Sequence, residues 1–312
     1  MREAGAVTLD AWRRRGVRSL VLARVDRVQL AVADRPAVAK AFARILDAIV
    51  TTEDAVAPLA ARRTTLAAGR AAIELLEPDG AGPVADHLAA NGPGLFAAGF
   101  AADDLDALRH RLIERRTDFA EADGQLFLGP AATGDSGLRC VLSPLRDAPS
   151  APGLVTHLYE VTNLVPDWEA VAARYTLIFD LAPDRFCPIA SPEYGYRGTL
   201  TMFDPRDRLD RIEVITPYDL GKTMGRYMTK RGPCLYMCFA EAPDLAVIRA
   251  RLVEHVPEHW TGPTDAAAPD TLFIHPPALG GMMMGVSRTT FGWTWSGHPE
   301  RVRPAPVGPE PR

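Results

Sequence analysis

The chain has few of the residues that mark several common kinds of site. Only four of its 312 residues are cysteine, and no two form a Cys-x-x-Cys pair: Cys140, Cys187, Cys234 and Cys238. On an uninterrupted strand Cys234 and Cys238 would lie roughly 13 Å apart, which is too far for one zinc ion. We therefore expect buried free thiols in a reducing compartment. A glycine-rich phosphate loop and a Ser-His-Asp signature are absent as well.

The chain also lacks an excess of positive charge and a long apolar run. Its formal net charge is -4, with arginines spread among acids. This composition offers no electrostatic basis for binding nucleic acid or an anionic membrane. No segment has the length and apolarity of a membrane span, and the first residues lack the apolar core of a signal peptide. We expect a cytoplasmic protein with no nucleic-acid or membrane partner.

What the chain does have is ample core-forming sequence, 47% hydrophobic, enough for about two domains. The proline-rich stretch SPLRDAPSAPG separates two halves of similar size. We predict an N-terminal extension over 1–21, a first domain over 22–145, a linker over 146–153 and a second domain over 154–296. The tail 297–312, rich in proline and charge, is predicted to be disordered.

The two halves repeat each other. NGPGLFAAGFA at 91–101 returns as RGPCLYMCFAE at 231–241, each a Gly-Pro turn followed by an apolar strand. AIELLEP and RIEVITP form a second matching pair, and DLDALRHRL and DLAVIRARL a third. The apolar positions keep the same spacing in the third pair, which indicates one amphipathic helix in each half. Agreement of motif and register favours a tandem duplication.

The order of elements within each half predicts an α+β fold. A strand at 25–34 precedes a helix from Pro36 to about Val50, with Asp34 or Arg35 at its cap. A strand at 156–164 and a helix near Pro166 match them in the second half. Closing strands are expected at 137–143 and 281–287. Each half thus reads as two βαβββ modules.

These motifs resemble the vicinal oxygen chelate superfamily, which includes glyoxalase I, methylmalonyl-CoA epimerase, extradiol dioxygenases and bleomycin-resistance proteins. IELLEP, VADHLAANGPGL and KRGPCLY are most similar to the epimerase branch. The resemblance covers about 22–145 and 154–290. It implies two tandem domains, in each of which paired βαβββ modules form a curved mixed sheet, or cup, with helices outside. It also implies a divalent metal in the cup, held by His on the first strand and Glu or Gln on the last strand of each module.

This sequence departs from that ligand pattern. The matching positions are Arg27, Glu74, Ala97 and Val141 in the first half and His157, Glu213, Met237 and Gly285 in the second. Alanine, valine and glycine side chains supply no ligand, and a thioether is a poor ligand for hard cations. We expect no cofactor. The alternative is one divalent metal (Fe, Mn or Zn) in the second cup on His157 and Glu213, with His275 or Glu160 recruited.

The substitutions have physical consequences in both cups. In the first, Arg27 is expected to face Glu74 and take the place of the ion, which makes that domain structural; the alternative is that Arg27 binds an anion. In the second, we expect Glu213 to hydrogen-bond His157 and orient it as a general base; the alternative is a buried pair left over from an ancestral site. Tyr159 completes the predicted catalytic set, because it or Ser287 would hydrogen-bond a developing oxyanion.

Strand alternation predicts the rest of the lining of the second cup. If Met237 faces the cup, Leu235 and Phe239 on the same strand should face it too. In the same way, Met283 and Ser287 should face the cup together with Gly285. Tyr196 and Arg197 are expected near the rim. The predicted substrate-binding residues are therefore Met237, Phe239, Met283, Ser287, Tyr196 and Arg197, a set suited to an apolar or aromatic ligand.

Three functions are compatible with these features. One is a metal-independent isomerase, epimerase or lyase that moves a proton on a carbonyl or phenolic substrate. Another is a metal-dependent oxygenase similar to extradiol dioxygenases. The last is a metal-free protein that sequesters small molecules. All three imply a small-molecule partner, and a homodimer is left open.

Overall fold

The computed structural model describes residues 22–146, 152–204, 209–263 and 270–288. The predicted extension 1–21 and tail 297–312 lie outside the described residues, as does most of the linker. The first module of the first domain contains β1 (Leu22–Ala31), α1 (Arg35–Leu46), β2 (Ile49–Val56), β3 (Ala61–Ala68) and β4 (Ala71–Pro78).

Helix α2 (Pro83–Asn91) connects this module to the second, and the Gly-Pro turn follows it. The second module contains β5 (Gly94–Ala102), α3 (Leu105–Glu114), β6 (Ala120–Ala122), β7 (Gln125–Leu128) and β8 (Cys140–Pro144). The eight strands form one mixed sheet in the order β2-β3-β4-β1-β5-β8-β7-β6. The two modules therefore meet where β1 pairs with β5.

The second domain repeats this arrangement, which confirms the predicted α+β fold of paired βαβββ modules. Its first module contains β9 (His157–Leu164), α4 (Trp168–Phe179), β10 (Cys187–Ser191), β11 (Tyr196–Met202) and β12 (Arg211–Pro217). After α5 (Thr223–Arg231) come β13 (Cys234–Glu241), α6 (Leu245–His255), β14 (Trp260–Thr261), β15 (Thr271–Ile274) and β16 (Met283–Ser287). The strand order is β10-β11-β12-β9-β13-β16-β15-β14.

An aspartate caps the helix that follows the first strand of every module. The side chain of Asp34 accepts from the amide of Ala37 at 2.8 Å, which confirms one of the two predicted caps of α1. Asp104, Asp167 and Asp244 cap α3, α4 and α6 in the same way. Helix α1 ends at Leu46 rather than near Val50, because Asp47 adopts a left-handed conformation and β2 follows at once.

Strand β9 carries a bulge that changes which residues face the cup. Phe239 of β13 pairs with Glu160 and Ala240 pairs with Leu158, so Tyr159 is an extra residue. Tyr159 and Glu160 consequently both face the concave side, whereas Leu158 and Val161 lie in the main core. A second irregularity in β13 makes Tyr236 the extra residue.

One apolar core runs through both domains on the helical side of the sheets. Phe100 of β5 contacts Phe179 of α4 and Phe203 edge to face, with ring centroids 6.1 and 5.7 Å apart. Buried hydrogen bonds cross the same boundary: Asp210 accepts from the amide of Val25 at 2.8 Å. The domains are therefore docked through core packing and buried hydrogen bonds.

No helix in the described part of the chain is long and apolar enough to cross a membrane. All four cysteines are free thiols, but the prediction that they are buried holds for Cys140 and Cys238 and is wrong for Cys187 and Cys234, which are partly exposed. Cys238 is in the main core, whereas Cys234 packs with the residues of the concave face. The irregularity in β13 thus places the two thiols on different faces rather than on the same one.

Candidate functional site

The concave face of the second sheet encloses a cavity of about 350 Å³. Six apolar side chains line it: Ile189, Met224, Met237, Phe239, Phe273 and Met283. Its polar groups are Glu160, Glu213, Tyr194, Tyr196, Thr223, Tyr236, Thr261 and His275. A mostly apolar and aromatic cavity with a few convergent polar groups is typical of small-molecule sites.

Glu160 enters this cavity as half of a buried ion pair. Its carboxylate accepts from Nε of Arg211 on the neighbouring strand β12, and both side chains are at most 3% exposed. The guanidinium also lies 5.0 Å from the ring centroid of Tyr159. Burial raises the pKa of Glu160, and the charge of Arg211 counteracts that effect. The ion pair thus places one carboxylate at the cavity, and the positive charge of Arg211 balances its negative charge.

Glu213 is the second carboxyl group of the cavity, and its partners are hydroxyl groups. Thr162 donates to Oε2 of Glu213 at 2.6 Å, and Tyr196 forms a side-chain hydrogen bond with the same carboxyl. Burial, and after it the negative charge of Glu160, raises the pKa of Glu213 to about 8. Near neutral pH this group holds a proton that it can release, as a general acid or base requires.

Phe239 occupies the centre of the cavity floor because Gly285 leaves room for it. The two residues pair across β13 and β16, and a Cβ on Gly285 would lie 2.0 Å from the Phe239 ring. Phe273 packs edge to face on the same ring, with centroids 6.0 Å apart. Gly285 is thus more than an absent ligand, since its lack of a side chain allows an aromatic floor.

His275 is the imidazole that lines the cavity. It follows β15, and its Nε2 lies 3.3 Å from Oγ1 of Thr261. Burial, and next the proximity of His259, lowers the pKa of His275. The ring is therefore neutral near pH 7, able to donate from one nitrogen and accept at the other.

His157 lies elsewhere, and the expected contact between His157 and Glu213 is wrong. His157 begins β9, where it pairs with Glu241 and its Nε2 lies 3.8 Å from Oε2 of that residue. Glu213 pairs with Thr162, which at strand rise is roughly 16 Å further along β9. Glu160 rather than His157 occupies the place of Arg27 in the second sheet, because it pairs with the first residue of β12 and with Phe239 as Arg27 pairs with β4 and with Gly99.

Tyr159 and Ser287 are placed beneath the cavity rather than in its wall. Both are fully buried, and their hydroxyl oxygens are 2.9 Å apart. Arg197 is exposed on β11 beside Tyr196, on the alternate face of the strand. Leu235 is in the main core, because Tyr236 takes the extra position before Met237. Met237, Phe239, Met283 and Tyr196 do line the cavity, as the sequence predicted.

Ion pairs occupy the corresponding place in the first cup. Arg27 donates to Oε1 of Glu74 at 2.8 Å, which confirms the predicted pair. Arg63 contacts the same oxygen at 3.2 Å, and Gln29 donates to Oε2 at 2.7 Å. Ala97 and Val141 pack in an apolar cluster on this face. A carboxylate held by two guanidinium groups and an amide is a structural element.

Solved structures with this architecture are known. A variant of 4-hydroxymandelate synthase from Streptomyces coelicolor superimposes with a TM-score of 0.60 at 15% identity, covering 85% of this chain and 92% of that one. Methylmalonyl-CoA epimerase from Mycobacterium tuberculosis is 26% identical over 43% of this chain and 95% of its own, with a TM-score of 0.36. Neither protein-family models nor curated proteins give a match.

The chain has the vicinal oxygen chelate fold. Proteins with this fold can hold a divalent metal in the cup, so the residues at that place decide whether one fits. Here Met237 and Gly285 offer no oxygen or nitrogen donor, and Glu160 is engaged by Arg211. Among the described residues, no group of three His, Cys, Asp or Glu side chains converges as metal ligands would. The donor set of this vicinal oxygen chelate cup does not fit a hard divalent ion.

Several residues of the site were not found from the sequence. The sequence predicts Glu160 only as a recruited metal ligand, and it predicts no role for Arg211, Thr162 or Tyr236. One signal was present: Leu158 and Val161 are both core residues spaced three apart instead of two, as are Val25 and Val28 in the first half. That break in alternation marks the bulge in each half.

Proposed function

We propose that the second cup is the active site of a metal-independent enzyme that transfers a proton on a small apolar or aromatic carbonyl or phenolic substrate. The observation that carries this proposal is the pair of carboxyl groups, Glu160 and Glu213, that open into one enclosed aromatic cavity. Glu160 is matched by Arg211, whereas the hydrogen-bond partners of Glu213 within the described ranges are both hydroxyl groups. Glu213 is therefore the group free to exchange a proton with a ligand.

In the proposed reaction, the Glu213 carboxylate takes a proton from the carbon next to the carbonyl of the substrate. The electron pair of that C–H bond moves to the oxygen and forms an enolate, and Glu213 returns the proton to the same or a neighbouring carbon. The net result is isomerisation or epimerisation, and loss of a leaving group from the enolate would give a lyase. Tyr236 and His275 are the cavity groups available to donate a hydrogen bond to the enolate oxygen.

Proton exchange into deuterated water tests this role, with phenylacetone as the probe and NMR as the readout. The protein should accelerate exchange next to the carbonyl, with a rate that rises with pH and levels off above about 8, where Glu213 is ionised. Glu213→Gln should lower the rate by roughly a hundredfold or more. Equal rates in both proteins would refute the role of Glu213.

Two control variants separate Glu213 from other groups of the same sheet. Glu241→Gln removes a carboxyl that pairs with His157 at the far end of β13, and His157→Gln removes the histidine first expected to act as base. Both variants should catalyse proton exchange on phenylacetone at a rate within about threefold of that of the unmodified protein. A large loss in His157→Gln alone would restore the histidine as the base.

A binding protein is the second candidate, and the aromatic lining of the cavity favours it. Phe239, Phe273 and Tyr236 would surround a flat ligand whether or not Glu213 acts on it. Calorimetric binding of phenylacetone without proton exchange at any pH would support sequestration. A small-molecule partner and a cytoplasmic location belong to both proposals.

A further inference from the structure

A second pocket, of about 220 Å³, lies between the two domains. The first domain contributes His87 of α2 and Arg139, which precedes β8. The second domain contributes Arg231, the last residue of α5, and the Gly-Pro turn that follows it. Two arginines and a histidine thus converge from both sides of the domain boundary.

Both guanidinium groups of this pocket are packed on aromatic rings. Arg139 lies 5.0 Å from the ring centroid of Phe96, and Arg231 lies 4.9 Å from that of Tyr227. Neither forms an ion pair with a carboxylate of the described residues, whereas Arg27 and Arg63 both do. Stacking fixes the plane of each guanidinium and leaves its N–H edge for another acceptor.

His87 adds an imidazole with one buried nitrogen that has no hydrogen-bond partner among the described residues. This nitrogen, Nε2, is inaccessible to solvent. The ring contacts Phe96 edge to face, with centroids 5.4 Å apart. Burial, and then the charges of Arg139 and Arg231, lowers the pKa of His87 to about 4. The imidazole is therefore neutral at pH 7 and responds to both guanidinium groups, so the pocket interior is electropositive.

The acidic residues nearby do not cancel this charge. Asp86 of α2 raises the pKa of Arg139, but the opposing effect of burial is larger. Asp135 lies on the rim of the pocket, and both aspartates are exposed to solvent. Exposed carboxylates are screened and neutralise a half-buried cation poorly.

We propose that this pocket binds a small oxyanion, a phosphate or carboxylate group, between the two domains. Planar guanidinium groups bind such anions through paired N–H donors. Because Arg139 and His87 belong to one domain and Arg231 to the other, the complete site exists only in the docked arrangement. Bound anion therefore stabilises docking of the domains.

Thermal unfolding of the full chain in dilute Tris buffer tests the site, with sodium phosphate, acetate or chloride added at equal ionic strength. Phosphate or acetate should raise the Tm in a saturable manner, and chloride should not. Whichever of phosphate and acetate raises the Tm at the lower concentration identifies the class of anion that the site prefers. Arg139→Gln and Arg231→Gln should each weaken the apparent affinity by roughly tenfold or more. Arg146→Gln, an exposed arginine of the first cup, is the matched control and should bind normally.

Circular dichroism of each variant establishes that it is folded before the titration. If Arg139→Gln fails to fold, Arg231→Gln carries the test alone, because its side chain lies at the end of a surface helix. The proposal is overturned if all three salts shift the Tm equally. It is also overturned if Arg231→Gln responds to phosphate and acetate as the unmodified protein does.

Discussion

The two cups share a fold and a glutamate at the same place, yet they treat that glutamate differently. In the first, Glu74 is bound by Arg27, Arg63 and Gln29. In the second, the hydrogen-bond partners of Glu213 in the part of the chain that the structure describes are the hydroxyl groups of Thr162 and Tyr196. Two cations around a carboxylate make a rigid support, whereas two hydroxyl groups in an apolar cavity leave a carboxyl that can exchange its proton.

The strand register explains why the second cup lacks the two arginines that contact Glu74 in the first. Gly198 of β11 occupies the place of Arg63, so the second cup has no guanidinium there. Glu160 occupies the place of Arg27, and its partner Arg211 lies on β12. A cation opposite Glu74 has thus been replaced by an anion next to Glu213, which reverses the electrostatic effect on the glutamate.

The largest effect should come from removing the cation of the second cup. Arg211→Met leaves Glu160 buried without a counter-charge and should lower the free energy of unfolding by about 3–5 kcal/mol. Arg27→Met in the first cup should cost about 1–2 kcal/mol, since Glu74 keeps its other partners. Urea denaturation measures both. Adding Glu160→Gln to Arg211→Met should recover much of the loss, and no recovery would show that Arg211 acts through packing alone.

The pH dependence of stability should reveal Glu213. Its pKa is raised from 4.5 to about 8, so between these values the unfolded chain releases a proton that the folded chain keeps. The free energy of unfolding should therefore fall as pH rises through this window, by about 3–5 kcal/mol from this group.

The free energy of unfolding of Glu213→Gln should vary less with pH, by the same amount. At pH 9 this variant should be more stable than the unmodified protein. Thr162→Val removes a hydrogen bond that favours the ionised form, so it should move the upper end of the window to higher pH. Identical pH profiles for the unmodified protein and Glu213→Gln would contradict a raised pKa.

The next test replaces the central residue pair of the second sheet with the pair found at the same place in the first. The first cup has Gly99 beside Val141 where the second has Phe239 beside Gly285. Gly285→Val should collide with Phe239 and cost about 1–3 kcal/mol in thermal or urea unfolding. Phe239→Gly combined with Gly285→Val reproduces the first cup, and the pair should cost less than the sum of the single changes. Strict additivity would show that the two sites do not compete for space.

The smallest effect should come from the hydroxyl pair beneath the cavity. Tyr159→Phe breaks the bond to Ser287 and should cost about 1 kcal/mol of stability. Because this hydroxyl does not reach the cavity, phenylacetone exchange should stay within about threefold of the unmodified rate. A loss approaching that of Glu213→Gln would make Tyr159 part of the catalytic machinery.

Much of the fold could be predicted from the sequence, because its signals are local and repeated. The Gly-Pro turns, the proline-ended strands and the helices of identical apolar spacing gave the two modules of each domain. Asp34 at the start of α1 is such a signal, since a capping side chain bonds to an amide three residues away. The pair Arg27–Glu74 was also predictable, because a buried carboxylate needs a partner.

The site was predicted less well, because its geometry depends on register between strands. A single extra residue, Tyr159, reverses the facing of the residues that follow it, which brings Glu160 into the cup and Val161 into the core. His157 misses Glu213 because it lies at the start of β9, five residues before the partner of Glu213. The partner of Glu160 lies on a strand about fifty residues away, and no local pattern marks that contact. Cavity residues such as His275 and Tyr236 come together only through the curvature of the sheet.

The most direct measurement of the difference between the two cups is the titration of Glu213 itself. Carbon-detected NMR of glutamate side-chain carboxyl groups, with Glu213→Gln to assign the resonance, gives its pKa in the folded protein. We expect a carboxyl that titrates near 8, absent from the Glu213→Gln spectrum. A Glu213 resonance fully titrated below about pH 5, in the range of ordinary glutamates, would contradict a proton-carrying carboxyl in the second cup.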